Sequence, residues 1–147
     1  MGELKTNRSV RDPERVGYTG STVRTDAGRI AIVPAHDLDE VKLLVLPAAR
    51  PAFGRRLAID IVRDLLDLDA DEAREAIRAL VLGLRPENFA HTLRNQPPPA
   101  DVYGVEVAGR AWYIKVTIYT TDGRHLLVIS CHPPTDPLMT IAGTIRR

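Results

Sequence analysis

The chain contains a single cysteine, few aromatic residues and almost no excess of charge. Cys131 has no partner for an intramolecular disulfide, so a hydrophobic core has to hold the fold together. A formal net charge of +1 points to no polyanionic partner, so any contact with nucleic acid has to come from a local patch. No apolar run approaches the ~18 residues of a membrane span, and the N-terminal residues contain no apolar signal core. We therefore expect one soluble, cytoplasmic domain without a membrane contact.

The strongest pattern in the sequence runs from Asp101 to Pro134. Three runs of alternating residues are joined there by Ala-Gly and Asp-Gly turn signals, which predicts a three-stranded antiparallel meander. A two-residue loop at Asp122-Gly123 would set the register of the second hairpin. That register gives two pairs on the last two strands, Tyr113 with His132 and Lys115 with Ser130.

Alternation along these strands assigns every side chain to one of two faces. The apolar face is predicted to contain Trp112, Ile114, Val116, Ile118, Leu127, Ile129 and Cys131. The opposite, polar face is predicted to contain Tyr113, Lys115, Thr117, Tyr119, Ser130 and His132. One face of the sheet therefore belongs to the core, and the other offers several chemically active groups.

Three helices are predicted ahead of the meander. The first begins at the N-cap Asp37, with Glu40 completing a capping box, and it stops at Pro47. The second extends from about Leu57 to Leu66. Its apolar residues at helical spacing, which we expect to be buried, are Leu57, Ile61 and Leu65.

The third helix begins at another capping box, formed by Asp69 and Glu72, and ends before Gly83. Its predicted buried stripe consists of Ala73, Ile77, Leu80 and Val81. The second and third helices form an αα-hairpin whose outer surface is acidic, with Asp60, Asp64, Asp67, Asp71, Glu72 and Glu75. These carboxylates lie far from any cluster of His or Cys, so no metal site is predicted.

The connecting segments carry fewer signals. Residues from Val16 to Val33 predict a short hairpin with its turn near Asp26 to Gly28. In the linker before the meander, a helical turn around Phe89 to Leu93 would pack on the core while His91 and Arg94 point away from it.

Four runs together resemble the motility quorum-sensing regulator (MqsR) family of bacterial type II toxins: LDEVKLLV, LVLGLRPENF, DVYGVEVAGRAWYIKVTIY and LLVISCH. The resemblance covers roughly Ala35 to His132, and the spacing from DVY to WYIKV is its most specific part. It implies an α+β fold related to RelE and the microbial ribonucleases, with helices on one face of a curved antiparallel sheet. On this basis residues 1–34 are an N-terminal extension, 35–134 a ribonuclease domain and 135–147 a C-terminal tail.

The resemblance further implies an mRNA endoribonuclease that needs no metal or cofactor and is neutralised by a cognate antitoxin protein. In the best-known branch, a lysine follows the linker Phe by two residues and a glutamine precedes DVY. A tyrosine lies on the long strand and a lysine ends the last strand. In this sequence the four positions hold His91, Ala100, Tyr113 and His132.

The residues themselves fit such chemistry. Cleaving RNA without a metal needs a base for the 2′-OH, an acid for the leaving 5′-oxygen and a cation for the charge on phosphorus. His91 and His132 can divide the acid and base roles at neutral pH, and Tyr113 can donate to a non-bridging oxygen. The candidate RNA contacts are Lys115 on the phosphate, Tyr119 as a base-stacking surface, Ser130 and Arg94.

Two other interpretations stay open. A non-catalytic module of the same fold would bind RNA or the antitoxin, and Ala100 in place of a polar residue favours it. In a weaker alternative, the protein acts in a regulatory complex whose DNA binding comes from the antitoxin. The sequence itself shows no helix-turn-helix with a basic recognition helix. Without the family, Tyr113 and Lys115 would fit ordinary solvated strand residues equally well, and His125 is expected at the surface.

Overall fold

The computed structural model describes residues 21–24, 30–46, 53–95 and 97–146. They form an α+β fold, as the sequence predicted. The elements in chain order are β1 (Ser21–Arg24), β2 (Ile30–Val33), α1 (Leu38–Val45), α2 (Arg56–Leu66), α3 (Ala70–Leu82), a 3-10 turn (Pro86–Asn88), β3 (Phe89–Leu93), β4 (Ala100–Val107), β5 (Arg110–Thr120), β6 (Arg124–His132), β7 (Leu138–Thr140) and β8 (Gly143–Ile145). None of the described helices is both long and apolar enough to span a bilayer.

The main sheet has four antiparallel strands in the order β3-β4-β5-β6. Helices α1 and α2 contact β6, and α3 packs on both of these helices. The core between the helices and the sheet includes the four β5 residues that were predicted to be buried, Trp112, Ile114, Val116 and Ile118. Two small hairpins, β1-β2 and β7-β8, form separate two-stranded sheets.

The loop between β5 and β6 is one residue longer than predicted. Thr120 pairs with Arg124, so three residues rather than two connect the strands. An irregularity opposite Lys115 and Val116 then leaves Ile129 unpaired as a β-bulge, which restores the register beyond it. The predicted pairs of Tyr113 with His132 and of Lys115 with Ser130 are therefore confirmed, although the loop from which they were derived was wrong.

The same irregularity corrects the predicted apolar face of β6. Between the loop and the bulge, the observed register differs by one residue from the predicted register. The two faces of β6 are therefore exchanged in this part of the strand. Leu126 and Val128 are buried in the core, whereas Leu127 and Ile129 are only partly buried and lie outside the core. Beyond the bulge the prediction holds, and Cys131 is fully buried.

The third helix matches its prediction and the second does not. Helix α3 has the capping box of Asp69 and Glu72, and it buries Ala73, Ile77, Leu80 and Val81. Helix α2 instead buries Ala58, Ile59 and Val62. Its residues Leu57 and Leu65 are 63% and 37% exposed, so the stripe predicted for this helix is the wrong one.

Helix α1 keeps its predicted N-cap but not its capping box. The Asp37 carboxylate accepts a hydrogen bond from the backbone N–H of Asp39 at 2.9 Å. Glu40 turns away from the helix end and forms a two-bonded ion pair with Arg124 at the start of β6. Because Glu40 holds α1 against the sheet in this way, its role is in tertiary structure.

The linker and the C-terminal residues contain strands that were not predicted. Phe89–Leu93 is a strand, and the helical turn precedes it at Pro86–Asn88. Residues 138–145, within the predicted C-terminal tail, form a hairpin. The N-terminal hairpin is present as β1 and β2, while its predicted turn lies outside the described residues.

The C-terminal hairpin packs on the sheet face that lies opposite the helices. Gly104 on β4 makes this close approach possible, because a Cβ there would lie 2.6 Å from Leu138 Cδ2 and 3.1 Å from Thr140 Cγ2. The backbone N–H of Ile141 also donates to the Phe89 carbonyl at 3.0 Å. The hairpin therefore covers β3 and β4 and leaves the outer face of β5 and β6 more accessible.

Candidate active site

Two rings meet on the part of the sheet that the C-terminal hairpin leaves accessible. Tyr113 on β5 pairs with His132 on β6, and their side chains point away from the helices. The rings stack in parallel, with centroids 4.8 Å apart and planes 12° from each other. Both residues are half-buried. The register therefore places a phenol and an imidazole side by side at the end of the last long strand.

The backbone determines which nitrogen of His132 carries the proton. Its Nδ1 lies 2.8 Å from the carbonyl oxygen of Pro133, and this oxygen can only accept a hydrogen bond. Nδ1–H is therefore the donor, and in the neutral ring Nε2 carries the lone pair. An imidazole oriented in this way can accept a proton at Nε2.

A cation and a hydroxyl occupy the next row of the same face. Lys115 pairs with Ser130, two residues along β5 and β6 from the stacked rings. Diagonal neighbours on one face of a sheet lie about 7–8 Å apart, which long side chains can bridge. A phosphate that contacts the His132 ring is therefore within reach of the Lys115 ammonium.

His91 lies on the same face but far from His132. It pairs with Val102 across β3 and β4, in the row that continues to Lys115 and Ser130. Because β3 and β6 are the two edge strands, three strand spacings of about 14 Å in all separate the histidines. His91 is also only 6% exposed. This separation and the burial of His91 do not favour a division of acid and base roles between the two rings, and that division stays a prediction.

Two of the predicted RNA contacts lie away from the stacked rings. Tyr119 is six residues along β5 from Tyr113, which is about 20 Å in an extended strand. Its ring lies against His125 at 5.3 Å. His125 is itself half-buried, and its Nε2 donates to the Thr121 carbonyl at 2.7 Å. Arg94 is exposed just beyond β3.

Thr117 lies on the predicted polar face of β5 but is buried there in a polar network. Its hydroxyl donates to the Pro99 carbonyl at 2.8 Å, and His36 Nε2 donates to the same oxygen at 2.8 Å. Near it, the buried Asp101 carboxylate accepts hydrogen bonds from the backbone N–H groups of Ala35 and His36, at 2.9 and 2.8 Å. The network fastens the segment before α1 to the start of β4.

Sequence reasoning missed Asp101 as a structural residue. Its carboxylate also accepts from the Thr92 hydroxyl at 2.6 Å, which joins β3 to β4. One feature of the sequence pointed to this role: Asp101 begins a strand whose following residues are apolar. A carboxylate buried among apolar residues has to be matched by hydrogen-bond donors. Ala100, beside it, is buried and contributes no polar group to the site.

The site carries the positive charge of Lys115, while Glu106 on the neighbouring strand β4 lies on the same face of the sheet and is exposed. Neither β5 nor β6 contains an aspartate or glutamate, whereas α2 and α3 expose several carboxylates. Among the described residues, no group of three or more His, Cys, Asp or Glu is arranged to hold a metal ion. The site therefore consists of an imidazole, a phenol, an ammonium and a hydroxyl.

No protein-family model matches the chain, and neither the curated proteins nor the solved structures give a significant match. The likeness to the MqsR toxins therefore stays a prediction from the sequence. The geometry of the residues has to support any functional conclusion by itself.

Proposed function

We propose that this protein is an endoribonuclease that cleaves single-stranded RNA without a metal ion, as the toxin of a toxin–antitoxin pair. The observation that supports it best is the stack of Tyr113 on His132, with Lys115 one row away on the same face. The fold we propose for it is the RelE-like type, in which helices support one face of the sheet and RNA binds the other.

His132 is the general base in this proposal. Its Nε2 takes the proton from a ribose 2′-OH, and the 2′-oxygen attacks the adjacent phosphorus. The bond from phosphorus to the 5′-oxygen of the next nucleotide then breaks, which leaves a 2′,3′-cyclic phosphate and a 5′-OH. The hydrogen bond from Nδ1 to Pro133 supports this role because it keeps the lone pair on Nε2.

Lys115 and Tyr113 act on the phosphate. The Lys115 ammonium stabilises the added negative charge and protonates the departing 5′-oxygen, and we assign it this role because His91 is nearly buried on the other edge strand. The Tyr113 hydroxyl donates to a non-bridging oxygen. Ser130, which pairs with Lys115, can donate a further hydrogen bond to the same phosphate. A partner antitoxin protein would neutralise the enzyme by covering this face.

The proposal is tested with purified protein and a defined single-stranded RNA in the presence of EDTA. We expect cleavage, with a 2′,3′-cyclic phosphate identified by mass spectrometry. His132→Ala should lower the rate at least about 100-fold, which is the usual contribution of a general base. Circular dichroism should show an unchanged fold.

His125→Ala is the matched control, because this histidine is on the same strand but at its other end. It should cleave at close to the wild-type rate. Equal cleavage by a folded His132→Ala variant, or loss of cleavage with EDTA, would contradict the mechanism.

A second function, an RNA- or antitoxin-binding module without catalysis, is favoured by one observation. Ala100 is 7% exposed and His91 is 6% exposed, so neither position presents a polar group to a substrate as the resemblance implies. The same assay separates the two functions. Binding of the RNA without any cleavage product would support the module and overturn the enzyme.

A further inference from the structure

The outer edge of β6 is bridged by the residues that lead into α2, and this bridge fixes Arg55 beside the candidate active site. Gly54 forms an isolated parallel bridge with Val128 on β6. The backbone N–H of Arg55 donates to the Val128 carbonyl at 2.9 Å. Ser130, a residue of the candidate site, lies two positions further along β6. Two residues of a strand span less than about 7 Å, so the Arg55 side chain begins close to Ser130.

The direction of the Arg55 side chain follows from its neighbour Gly54. A Cβ at Gly54 would lie 3.2 Å from Ile59 Cγ1 on α2, so Gly54 faces the helices, as the core residue Val128 does. Arg55 has an extended backbone, with φ −64° and ψ 145°. Because successive side chains of an extended chain alternate, Arg55 is directed to the opposite face. Arg55 is exposed, and it therefore continues the cationic surface of Lys115 past the edge of the sheet.

The acid nearest to Arg55 in the sequence is engaged by other arginines. Asp60 on α2 contacts Arg56 at 4.0 Å and Arg63 at 3.4 Å. The strands β5 and β6 contain no carboxylate that could hold the Arg55 guanidinium. What distinguishes Arg55 from the other exposed cations is its position, because the bridge to β6 attaches it beside the candidate site.

We propose that Arg55 binds the RNA phosphate that follows the cleaved phosphate on its 3′ side. The inference rests on the proposed function, in which His132 activates the 2′-OH and Lys115 protonates the leaving 5′-oxygen. The RNA backbone then runs 5′ to 3′ from the row of His132 to the row of Lys115 and Ser130. The same direction along β6 leads to Val128, where Arg55 is attached.

The spacing favours two successive phosphates over a shared one. Arg55 lies outside β6 and Lys115 lies on β5, so two strand spacings, about 10 Å, separate their backbones across the sheet. A guanidinium suits the outer position because its planar donors can bind two oxygens of one phosphate. The contact does not touch the reacting atoms. It should therefore lower KM and leave kcat unchanged, as uniform binding does.

Two sets of dinucleotides that cover every pair of bases test the contact, one with a free 3′-OH and one with a 3′-phosphate. The 3′-phosphate takes the place of the phosphate that Arg55 would bind. For the wild type we expect it to lower KM about tenfold, as one hydrogen bond to a charged group does, with little change in kcat. Arg55→Gln should give the same KM for both sets. Arg56→Gln is the matched control on the neighbouring residue, whose side chain is 95% exposed, and it should keep the wild-type difference.

Binding of the same dinucleotides with a 2′-deoxyribose in the first nucleotide separates this inference from the proposed function, because these analogues cannot be cleaved. Titration followed by NMR measures their affinity. A gain from the 3′-phosphate that only Arg55→Gln removes supports the contact, even if the RNA dinucleotides are not cleaved and the enzyme is overturned. Cleavage by the wild type, with a gain that Arg55→Gln retains or that Arg56→Gln loses equally, would overturn the contact and leave the enzyme standing.

Discussion

One carbonyl oxygen determines how His132 can react. Pro133 follows His132 directly and its carbonyl accepts a hydrogen bond from Nδ1–H, so in the neutral ring the nitrogen that can accept a proton is Nε2. His91 has the same side chain in a different setting, because it is buried on the opposite edge strand. Two residues that looked equivalent in the sequence therefore have different environments in the structure.

His91→Gln should separate the roles of the two histidines. We expect it to lower stability, because the side chain is 6% exposed, and to leave the rate of RNA cleavage within a few-fold of the wild type. Urea unfolding measures the first effect, and the cleavage assay measures the second at a temperature where the variant is folded. A loss of activity as large as that of His132→Ala would restore the two-histidine mechanism.

The buried thiol of Cys131 should make the free energy of unfolding depend on pH in the alkaline range. Burial raises the pKa of its thiol from 9.0 to about 12, so the folded state needs the neutral form. The resulting stability is fully present below pH 9 and is lost as the pH rises toward about 12. Urea unfolding across this range should show a decline that starts near pH 9.

Cys131→Ala provides the control for this decline. Tyr103 is also buried and burial raises its pKa. Its effect on stability begins only above pH 10, because the ordinary pKa of a tyrosine is 10.0. Between pH 9 and 10 the variant should therefore show a flatter dependence than the wild type. An equally steep decline in both proteins would remove Cys131 as the cause.

At the scale of whole elements, prediction succeeded where the sequence offered one solution. Helix α3 has a single apolar stripe, and the prediction for it was correct. Helix α2 has two apolar stripes, one of Leu57, Ile61 and Leu65 and one of Ala58, Ile59 and Val62. The sequence of the helix alone does not indicate which of the two stripes is buried. Packing against α3 and β6 selects the second set. Tertiary contacts decided what periodicity left open.

The strand register shows a different limit. Alternation predicted correctly that Tyr113 and His132 are paired, but it could not detect a longer loop compensated by a bulge at Ile129. If the pairing next to the loop continued without the bulge, His132 would turn to the helix side. The position of the site thus depends on one unpaired residue. The strand β3 was missed because its partner, the start of β4, lies beyond the proline run.

The absence of a side chain at Gly104 allows the C-terminal hairpin to pack closely on the sheet. Gly104→Ala should destabilise the protein by about 1–3 kcal/mol, because the new Cβ would lie 2.6 Å from Leu138 Cδ2. Gly83→Ala is the matched control, since its Cβ would meet its nearest neighbour at 3.4 Å and its φ is −85°. Chemical denaturation should show little change for this control.

Leu138→Ala tests the cause of that effect. It removes the atom with which the new Cβ collides, so the double variant should be more stable than the sum of the two single effects by about 1 kcal/mol. Strict additivity of the two substitutions would show that the hairpin does not press on Gly104.

Across the whole molecule, charges are distributed unevenly between the helices and the strands β5 and β6. Helices α2 and α3 expose carboxylates that are mostly paired with arginines, while β5 and β6 contain no carboxylate at all. A net charge of +1 conceals this arrangement. A polyanion such as RNA is therefore repelled least on the sheet side, where Lys115 lies beside the stacked rings.

The salt dependence of RNA binding measures how many cations contact phosphate, and it tests that arrangement. Each phosphate contact contributes a slope of about 0.7 to the fall of log affinity with log salt for single strands. In the non-cleaving His132→Ala background, Lys115→Gln should lower the magnitude of the slope by about that amount. Lys42→Gln, which alters a lysine of α1 on the helix side, should leave the slope unchanged. If Lys42→Gln alone changes the slope, RNA binds the helix layer and the sheet face is not its binding surface.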